Sequence, residues 1–243
     1  MKKITLLGLA LSLLTFGTTG CHKGDIDDEK NNGEKTTIVD GVSNSGTIGK
    51  YAYVNLGLSV KWATYNVGAP RPTGYGKHFA WGETVGKDEY LKSNYRWYDQ
   101  TNYVYTKYCT NESYGTVDDM KVLDAEDDAA TANWGSSWRM PTDEEMEELI
   151  NGCTWEFVSD FNGSGTGGAL GKSKQNGNTI FLPMAGFLDE DGFTAEAGLY
   201  WSSSLYNKDN GRALNLGVVL LNKSIKTYAD QREMGASIRA VSE

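Results

Sequence analysis

The sequence predicts an α+β domain of twisted antiparallel strands, with one or two short helices and long packed loops. Short β-prone runs recur along the chain between tight-turn signals, and only one segment has a clear helical period. The turn signals are Asn-Gly or Asp-Gly pairs at 151–152, 162–163, 176–177, 191–192 and 210–211. With 243 residues, one large core is the simplest expectation.

The predicted strands are short runs of Val, Ile, Thr and aromatic residues bounded by polar turns. They are residues 51–56, 59–65, 154–159, 179–184, 199–204, 213–219, 224–229 and 236–241. Residues 87–128 are rich in Tyr, Asp and Asn without a regular period, which predicts long loops that their aromatic residues keep ordered. The Gly-rich run 163–168 lacks the Lys and the helix of a phosphate-binding loop, so it is interpreted as a flexible hairpin tip.

The clearest helix signal is the acidic stretch PTDEEMEELI, residues 141–150. Thr142 precedes Glu145 by three residues, which is the spacing of a capping box. Acids in the first turn suit the positive end of the helix dipole, and Met146, Leu149 and Ile150 recur on one face. The stretch is therefore predicted to be a capped helix rather than a catalytic carboxylate pair.

The N-terminus has the features of an export signal. Two lysines precede an apolar run too short to span a membrane, and small residues follow. Cys21 stands where the lipobox of bacterial lipoproteins has its lipid-modified cysteine, although Thr18 replaces the usual Leu. We expect a signal peptide over residues 1–20 and a lipid on Cys21, with an ordinary secretory signal as the alternative.

Residues 21–48 are predicted to form a flexible acidic tether between the lipid and the domain. They are polar and charged, with no apolar periodicity before Ile48, so ordering them would bury too little surface. The start of the tether, KGDIDDE, resembles signals that send lipoproteins of Bacteroidetes-type bacteria to the outer face of the outer membrane. We therefore expect a surface-exposed outer-membrane lipoprotein whose single domain spans residues 49–243.

The chain has three cysteines. If Cys21 carries a lipid, Cys109 and Cys153 remain as an even pair in an exported protein, where a disulfide can form. Two buried free thiols are the alternative, and the sequence does not decide between them.

The charge and the histidine count limit the functional classes. A formal net charge of −9 argues against nucleic acid as a partner. His22 and His78 are the two histidines, too few for a His-based metal centre within the domain, so no metal or cofactor is predicted. Acidic runs at 124–128 and 189–191 lack the spacing of a calcium loop and are interpreted as solvated turns. Residues 202–204, three serines, lack a nucleophile elbow. The chain is therefore not predicted to be an enzyme.

Six segments, taken in order, form a recognisable set. They are residues 54–69, 75–83, 129–155, 177–187, 198–205 and 236–243. Together they resemble the family of bacterial surface proteins called the Fibrobacter succinogenes major paralogous domain. That family is similar to a branch of the C-type lectin-like fold that includes the formylglycine-generating enzyme. The resemblance implies a C-type lectin-like domain over residues 49–243.

The resemblance does not carry catalytic chemistry to this chain. The formylglycine-generating enzyme uses a cysteine pair late in its chain to bind copper, and here no cysteine follows Cys153. Related iron-dependent sulfoxide synthases need a histidine cluster that this sequence lacks. Trp134, Trp138, Trp201 and Arg239 match family motif positions. The tryptophans are expected in the core, and Arg239 is expected to pair with a buried acid.

In this fold class the C-terminal strands and loops form the ligand face. The resemblance therefore implies a non-catalytic, adhesin-like module that binds a glycan or a protein there. The expected ligand-binding residues, all predicted to be exposed, are Tyr206, Asn207, Asp209, Asn210, Arg212, Asn215, Lys226 and Tyr228. The alternatives are an accessory subunit of a surface assembly, such as a fimbrial tip, and an enzyme like the formylglycine-generating enzyme.

Overall fold

Residues 35–243 are described by a computed structural model, and they form antiparallel strands in several small sheets with few helices. The predicted α+β class, in a mainly β form, is confirmed. Within these residues, no helix is both long enough and apolar enough to cross a membrane. The expected signal peptide, Cys21 and the first part of the expected tether, to residue 34, lie outside the described residues.

Short strands precede and follow two helices. The first strands are β1 (Thr37–Val39), β2 (Val42–Asn44), β3 (Gly46–Ile48), β4 (Tyr51–Val54), β5 (Lys61–Ala63), β6 (Tyr98–Asp99) and β7 (Val104–Tyr105). The helices are α1 (Ala129–Trp134) and α2 (Asp143–Gly152). The later strands are β8 (Cys153–Val158), β9 (Gly168–Ser173), β10 (Thr179–Pro183), β11 (Phe187–Asp189), β12 (Gly192–Thr194), β13 (Gly198–Leu205), β14 (Arg212–Val219), β15 (Ser224–Gln231) and β16 (Val241–Ser242).

The strands pair antiparallel in three larger sheets and three hairpins. The larger sheets have the strand orders β16-β5-β4-β3, β10-β9-β8 and β13-β14-β15, and the hairpins are β1–β2, β6–β7 and β11–β12. The sheet β13-β14-β15 is central because its two faces contact different cores. Leu199 and Trp201 belong to one hydrophobic cluster, while Tyr200, Leu216 and Val218 belong to the other. This placement explains why every residue of β13 is buried.

Helix α2 is the capped helix that the sequence predicts. The Thr142 hydroxyl accepts from the Glu145 amide, and the Glu145 carboxylate accepts from the Thr142 amide at 2.8 Å. Arg139 also binds Glu145, with its Nη2 2.6 Å from the carboxylate oxygen. Met146 and Leu149 are buried against the sheet. The acidic stretch therefore fixes the start and the orientation of a helix.

The predicted strand 236–241 is wrong except at Val241, which begins β16. The segment is a buried connection whose main chain bonds to a different element at nearly every residue. Ala236 pairs with Phe79, the Ser237 carbonyl accepts from Trp201, and the Ile238 carbonyl accepts from Val67. Strand-like composition here reflects burial rather than membership of one sheet.

The boundary predicted for the domain is also corrected. Residues 37–48 of the expected tether form β1, β2 and β3 and belong to the domain. Val42 is 1% exposed and packs against Phe161 and Phe181, and the amide of Thr179 donates to the Ser43 hydroxyl at 2.8 Å. A single buried valine in a polar run gives no periodicity, so the sequence pattern misses these strands.

The two domain cysteines are free thiols, so the disulfide alternative is wrong and the free-thiol alternative holds. Both are buried. Cys109 Sγ contacts the Asn111 carbonyl, whereas Cys153 lies in the apolar cluster under α2. Burial raises the pKa of the Cys153 thiol to about 11, which keeps it protonated and unreactive.

Arg232, at the end of β15, is fully buried among aromatic rings. Its guanidinium carbon lies 4.9 Å from the ring centre of Trp81 and 4.7 Å from that of Tyr105, close enough for cation–π attraction. Its nitrogens donate to the Tyr95 hydroxyl at 3.0 Å and to three main-chain carbonyls, those of Lys107, Tyr108 and Asn210, at 2.9–3.2 Å. One side chain at the end of the C-terminal sheet therefore bonds several main-chain groups of the long loops at 87–128.

Arg239 is the second buried arginine, and the expected buried acid is not its partner. Its guanidinium donates to the Asn66 amide oxygen at 2.9 Å and to the carbonyls of Ala63 and Phe181. Burial lowers the pKa of Arg239 to about 10. Trp138 and Trp201 lie in the core as expected, while Trp134 is half-buried at the surface.

Replacing Arg232→Met is expected to reduce the free energy of unfolding by about 4 kcal/mol, because buried carbonyls lose their donor. Urea unfolding of residues 35–243 measures this change. Arg212→Met is the matched control, since the Arg212 side chain is 47% exposed, and should change stability by less than about 0.5 kcal/mol. Equal effects of the two substitutions would contradict the structural role of Arg232.

Deleting residues 35–48 is expected to destabilise the remaining chain by at least about 2 kcal/mol, since the burial of Val42 and the pairing of β3 with β4 are lost. The comparison of fragments 35–243 and 49–243 in urea measures the effect. Identical midpoints and slopes for the two fragments would restore the boundary predicted at residue 49.

Candidate functional site

The residues predicted for ligand binding between β13 and β14 are mostly engaged within the fold. Asn210 is fully buried, and its amide oxygen accepts from the Thr110 main-chain N–H at 2.8 Å. Asp209 and Arg212 form an ion pair at 3.3 Å, and Tyr206 is half-buried. The expected exposure of Asn210 is therefore wrong, because its amide is needed to hold the loop at 107–111.

The predicted residues of β14 and β15 behave similarly. Asn215 is fully buried and donates to the Asp230 carboxylate at 3.0 Å, so its expected exposure is wrong. Tyr228, opposite Asn215 in the register, is half-buried and lies over Gly217, where an added Cβ would come within 2.6 Å of its ring. Lys226 is exposed, with its Nζ 5.1 Å from the Tyr228 ring centre.

The predicted set therefore does not form one site. Two of its members, Asn210 and Asn215, are structural, and the half-buried members are Tyr206, Asp209 and Tyr228. The exposed members are Asn207 and Arg212, near the turn before β14, and Lys226 on β15. Arg212 lies opposite Gln231 and Lys226 opposite Gly217, five positions apart along the sheet.

A cluster of acids near α1 has the spacing of a cation site. Carboxylate oxygens of Asp124, Glu126 and Asp127 lie within 4.8 Å of one another. The Lys107 ammonium lies among them, 2.8 Å from Asp124, 3.5 Å from Glu126 and 2.6 Å from Asp127. Desolvation opposes the charge of Lys107, but its hydrogen bonds to Asp124 and Asp127 raise its pKa. The interpretation of 124–128 as a solvated turn is corrected. These residues form a part-buried ion cluster in which the Lys107 ammonium lies between the carboxylates.

The three serines after Trp201 are structural. Ser202 donates to the Leu214 carbonyl at 2.8 Å, and Ser203 donates to the Pro141 carbonyl. The Ser204 hydroxyl accepts from the Asp143 amide. Each hydroxyl thus bonds to a main-chain group of a neighbouring segment.

An open groove of about 480 Å³ lies between β4, the end of α1 and the loop at 67–70. Its size falls within the usual range for small-molecule sites. Tyr51 and Trp134 form its aromatic wall, with ring centres 4.0 Å apart and planes 12° from parallel. Lys77 and Asn133 supply its polar side chains.

The aromatic wall of this groove is rigid. Trp134 is contacted edge to face by Trp138 at 5.2 Å and by Tyr65 at 5.8 Å, while its own face stacks on Tyr51. Trp138 is buried and donates to the Ile48 carbonyl at 3.3 Å. A half-buried tryptophan that is fixed on several sides can bind a ligand without losing side-chain entropy.

Asn133 is held in one orientation at the edge of the groove. Its amide nitrogen donates to the Thr84 carbonyl at 3.0 Å and to the Ala129 carbonyl at 2.8 Å. Both donor hydrogens are thereby used, which leaves the amide oxygen directed away from these bonds as an acceptor. The Tyr51 hydroxyl donates to the Asn133 main-chain carbonyl at 3.4 Å, linking the polar edge to the aromatic wall.

The sequence contains no local signal for this groove. Its residues come from segments around 51, 68, 77 and 134, each of which has an ordinary structural explanation by itself. Trp134 is part of a family-like motif, and its expected place is the core. Only the packing of α1 beside β4 brings it to the surface next to Tyr51.

Calcium is expected to leave the melting temperature of residues 35–243 unchanged, because the Lys107 ammonium already lies among the three carboxylates. Lys107→Met should lower stability by about 3 kcal/mol, since Asp127 is then buried without its ammonium partner, and calcium should restore part of the loss. Calorimetry with and without millimolar CaCl₂ measures both effects. A calcium-dependent rise in the unsubstituted protein would contradict this assignment.

The groove and the ion cluster are described from the positions of their residues alone. No family model, curated protein or solved structure matches this chain. The chemistry of the described side chains therefore carries the functional assignment.

Proposed function

We propose that this chain is a non-catalytic carbohydrate-binding module that the lipid on Cys21 anchors at the outer face of the outer membrane. The observation that carries the proposal is the preformed groove lined by Tyr51, Trp134, Lys77 and Asn133. The proposed domain is C-type lectin-like, in keeping with the family resemblance of its motifs. Its ligand lies in this groove rather than on the C-terminal strands.

The mixture of groups in the groove suits a sugar. A pyranose ring has an apolar C–H face, which packs on aromatic side chains, and a rim of hydroxyls, which both donate and accept hydrogen bonds. Trp134 and Tyr51 supply aromatic surface, and the Asn133 amide oxygen supplies an acceptor already fixed in place. Little ordering of the protein is then required when the ligand binds.

The dimensions favour a glycan over a protein partner. A groove of about 480 Å³ accommodates one or a few sugar rings. A stable protein interface normally needs at least about 1,000 Å² of buried area. In the C-terminal region the polar residues that would contribute to such an interface are largely bonded within the fold.

A glycan array probed with residues 35–243 is expected to give carbohydrate binding that depends on the groove. Trp134→Ala should weaken the affinity for an array hit about tenfold, since an aromatic contact is lost. Asn133→Ala should weaken it about fivefold through loss of one hydrogen bond. Isothermal titration calorimetry with the hit measures both.

Tyr228→Ala is the matched control, because Tyr228 is a half-buried aromatic residue of the C-terminal face and should not affect binding. Asn133 and Trp134 also make contacts within the fold, so urea unfolding of both variants separates lost binding from lost folding. If Tyr228→Ala removes binding while Trp134→Ala does not, the C-terminal face is the ligand site. Absence of carbohydrate binding, with the protein recovered in high-mass assemblies, would favour the accessory-subunit alternative.

A further inference from the structure

The only charged residue of 35–243 that lines the groove is a lysine, although the protein is acidic. The chain has 32 Asp and Glu residues and a formal net charge of −9, yet the lining of the groove contains a lysine and, among the described residues, no carboxylate. Lys77 is exposed, and it forms no ion pair with any residue of 35–243. An unpaired cation in a concave site is therefore available to a ligand.

Lys77 is held at the groove by its own packing. Its Cβ and Cγ lie against Gly68, where an added Cβ would come within 2.8 Å of Cγ, and its amide donates to the Val67 carbonyl at 2.9 Å. The aliphatic stem is thus fixed on the 67–70 loop while the ammonium remains in solvent. The start of the Lys77 side chain is therefore held beside the groove that Trp134 lines, and its ammonium is free to reach a ligand there.

A second cation stands beside the aromatic wall. Lys50 is exposed, and its Nζ lies 5.3 Å from the ring centre of Tyr51. It also forms no ion pair within the described part of the chain. Unpaired cations are therefore placed next to the stacked rings Tyr51 and Trp134.

We propose that the ligand of this groove is an acidic glycan, with sugar rings that carry a carboxylate or a sulfate ester. This inference rests on the proposed carbohydrate-binding function and names its ligand class. The sugar ring packs against the outer surface of the stacked Tyr51–Trp134 pair, and a hydroxyl donates to the Asn133 amide oxygen. The anionic group binds Lys77, with Lys50 contributing at longer range. A lysine ammonium is a compact charge whose donors can bind either a carboxylate or a sulfate, because it requires no fixed planar geometry.

The matched probes are trigalacturonic acid and its methyl ester, which have the same rings with and without charge. A sulfated galactose trimer forms the second anionic probe, and galactotriose is its neutral counterpart. Calorimetry at 50 mM salt should give at least about fivefold tighter binding of an anionic probe than of its neutral counterpart, and this ratio should fall at 500 mM salt because of screening.

Lys77→Met keeps the aliphatic stem and removes the charge, so it should reduce the ratio of anionic to neutral affinity about fivefold, and Lys77→Arg should retain it. Lys226→Met is the matched control, since Lys226 is also exposed and, like Lys50, lies over a tyrosine ring. The preference should be unchanged in that variant. If Lys226→Met removes the preference and Lys77→Met does not, the inference is overturned in favour of the C-terminal face.

Different results would contradict the carbohydrate-binding function and the acidic ligand class. If acidic and neutral probes bind equally and Trp134→Ala weakens both, the module binds carbohydrate but the acidic ligand class is wrong. If no sugar probe binds at any salt concentration, the proposed function itself fails. If an acidic peptide binds through Lys77 and the sugars do not, the groove is a peptide site and the glycan assignment is wrong.

Discussion

The buried guanidinium of Arg232 is the constraint on which the long irregular loops at 87–128 depend. Residues 87–128 form little regular structure, so their main-chain groups need partners from elsewhere. Arg232 supplies donors to the carbonyls of Lys107, Tyr108 and Asn210, and Trp81 and Tyr105 contact its faces. A neutral side chain could fill the volume but could not satisfy those carbonyls together.

The same requirement explains why polar residues of the C-terminal region turn inward. Long loops leave many N–H and C=O groups unpaired, and short amide and carboxylate side chains are well suited to bond them. Asn210 accepts from the main chain of Thr110, and Asp118 accepts from the amides of Tyr108 and Cys109. A fold rich in loops therefore uses Asn and Asp for structure, and their presence in a sequence is weak evidence for a ligand surface.

What could be predicted from the sequence was local. The capping box of Thr142 and Glu145 lies within four residues, and most strands follow from runs of β-prone residues. Strand β9 was missed because its Gly171 lies under the Trp155 ring, a close approach that only the neighbouring strand explains. Strands β1 to β3 depend on contacts with Phe161 and Phe181, and the groove depends on the packing of distant segments. The secondary-structure propensity of a short segment gives no information about contacts with distant segments.

Different residues supply the shape and the charge of the groove, and this division affects its specificity. Trp134 and Tyr51 contact the buried Trp138, so the aromatic wall is packed against the core. Lys77, Lys50 and Asn133 are exposed, and substitution of the lysines disturbs no ion pair of the described residues. Under the proposed carbohydrate-binding function, related domains can keep the aromatic wall and vary the exposed residues around it, and we expect the sign of their charge to select which sugars bind.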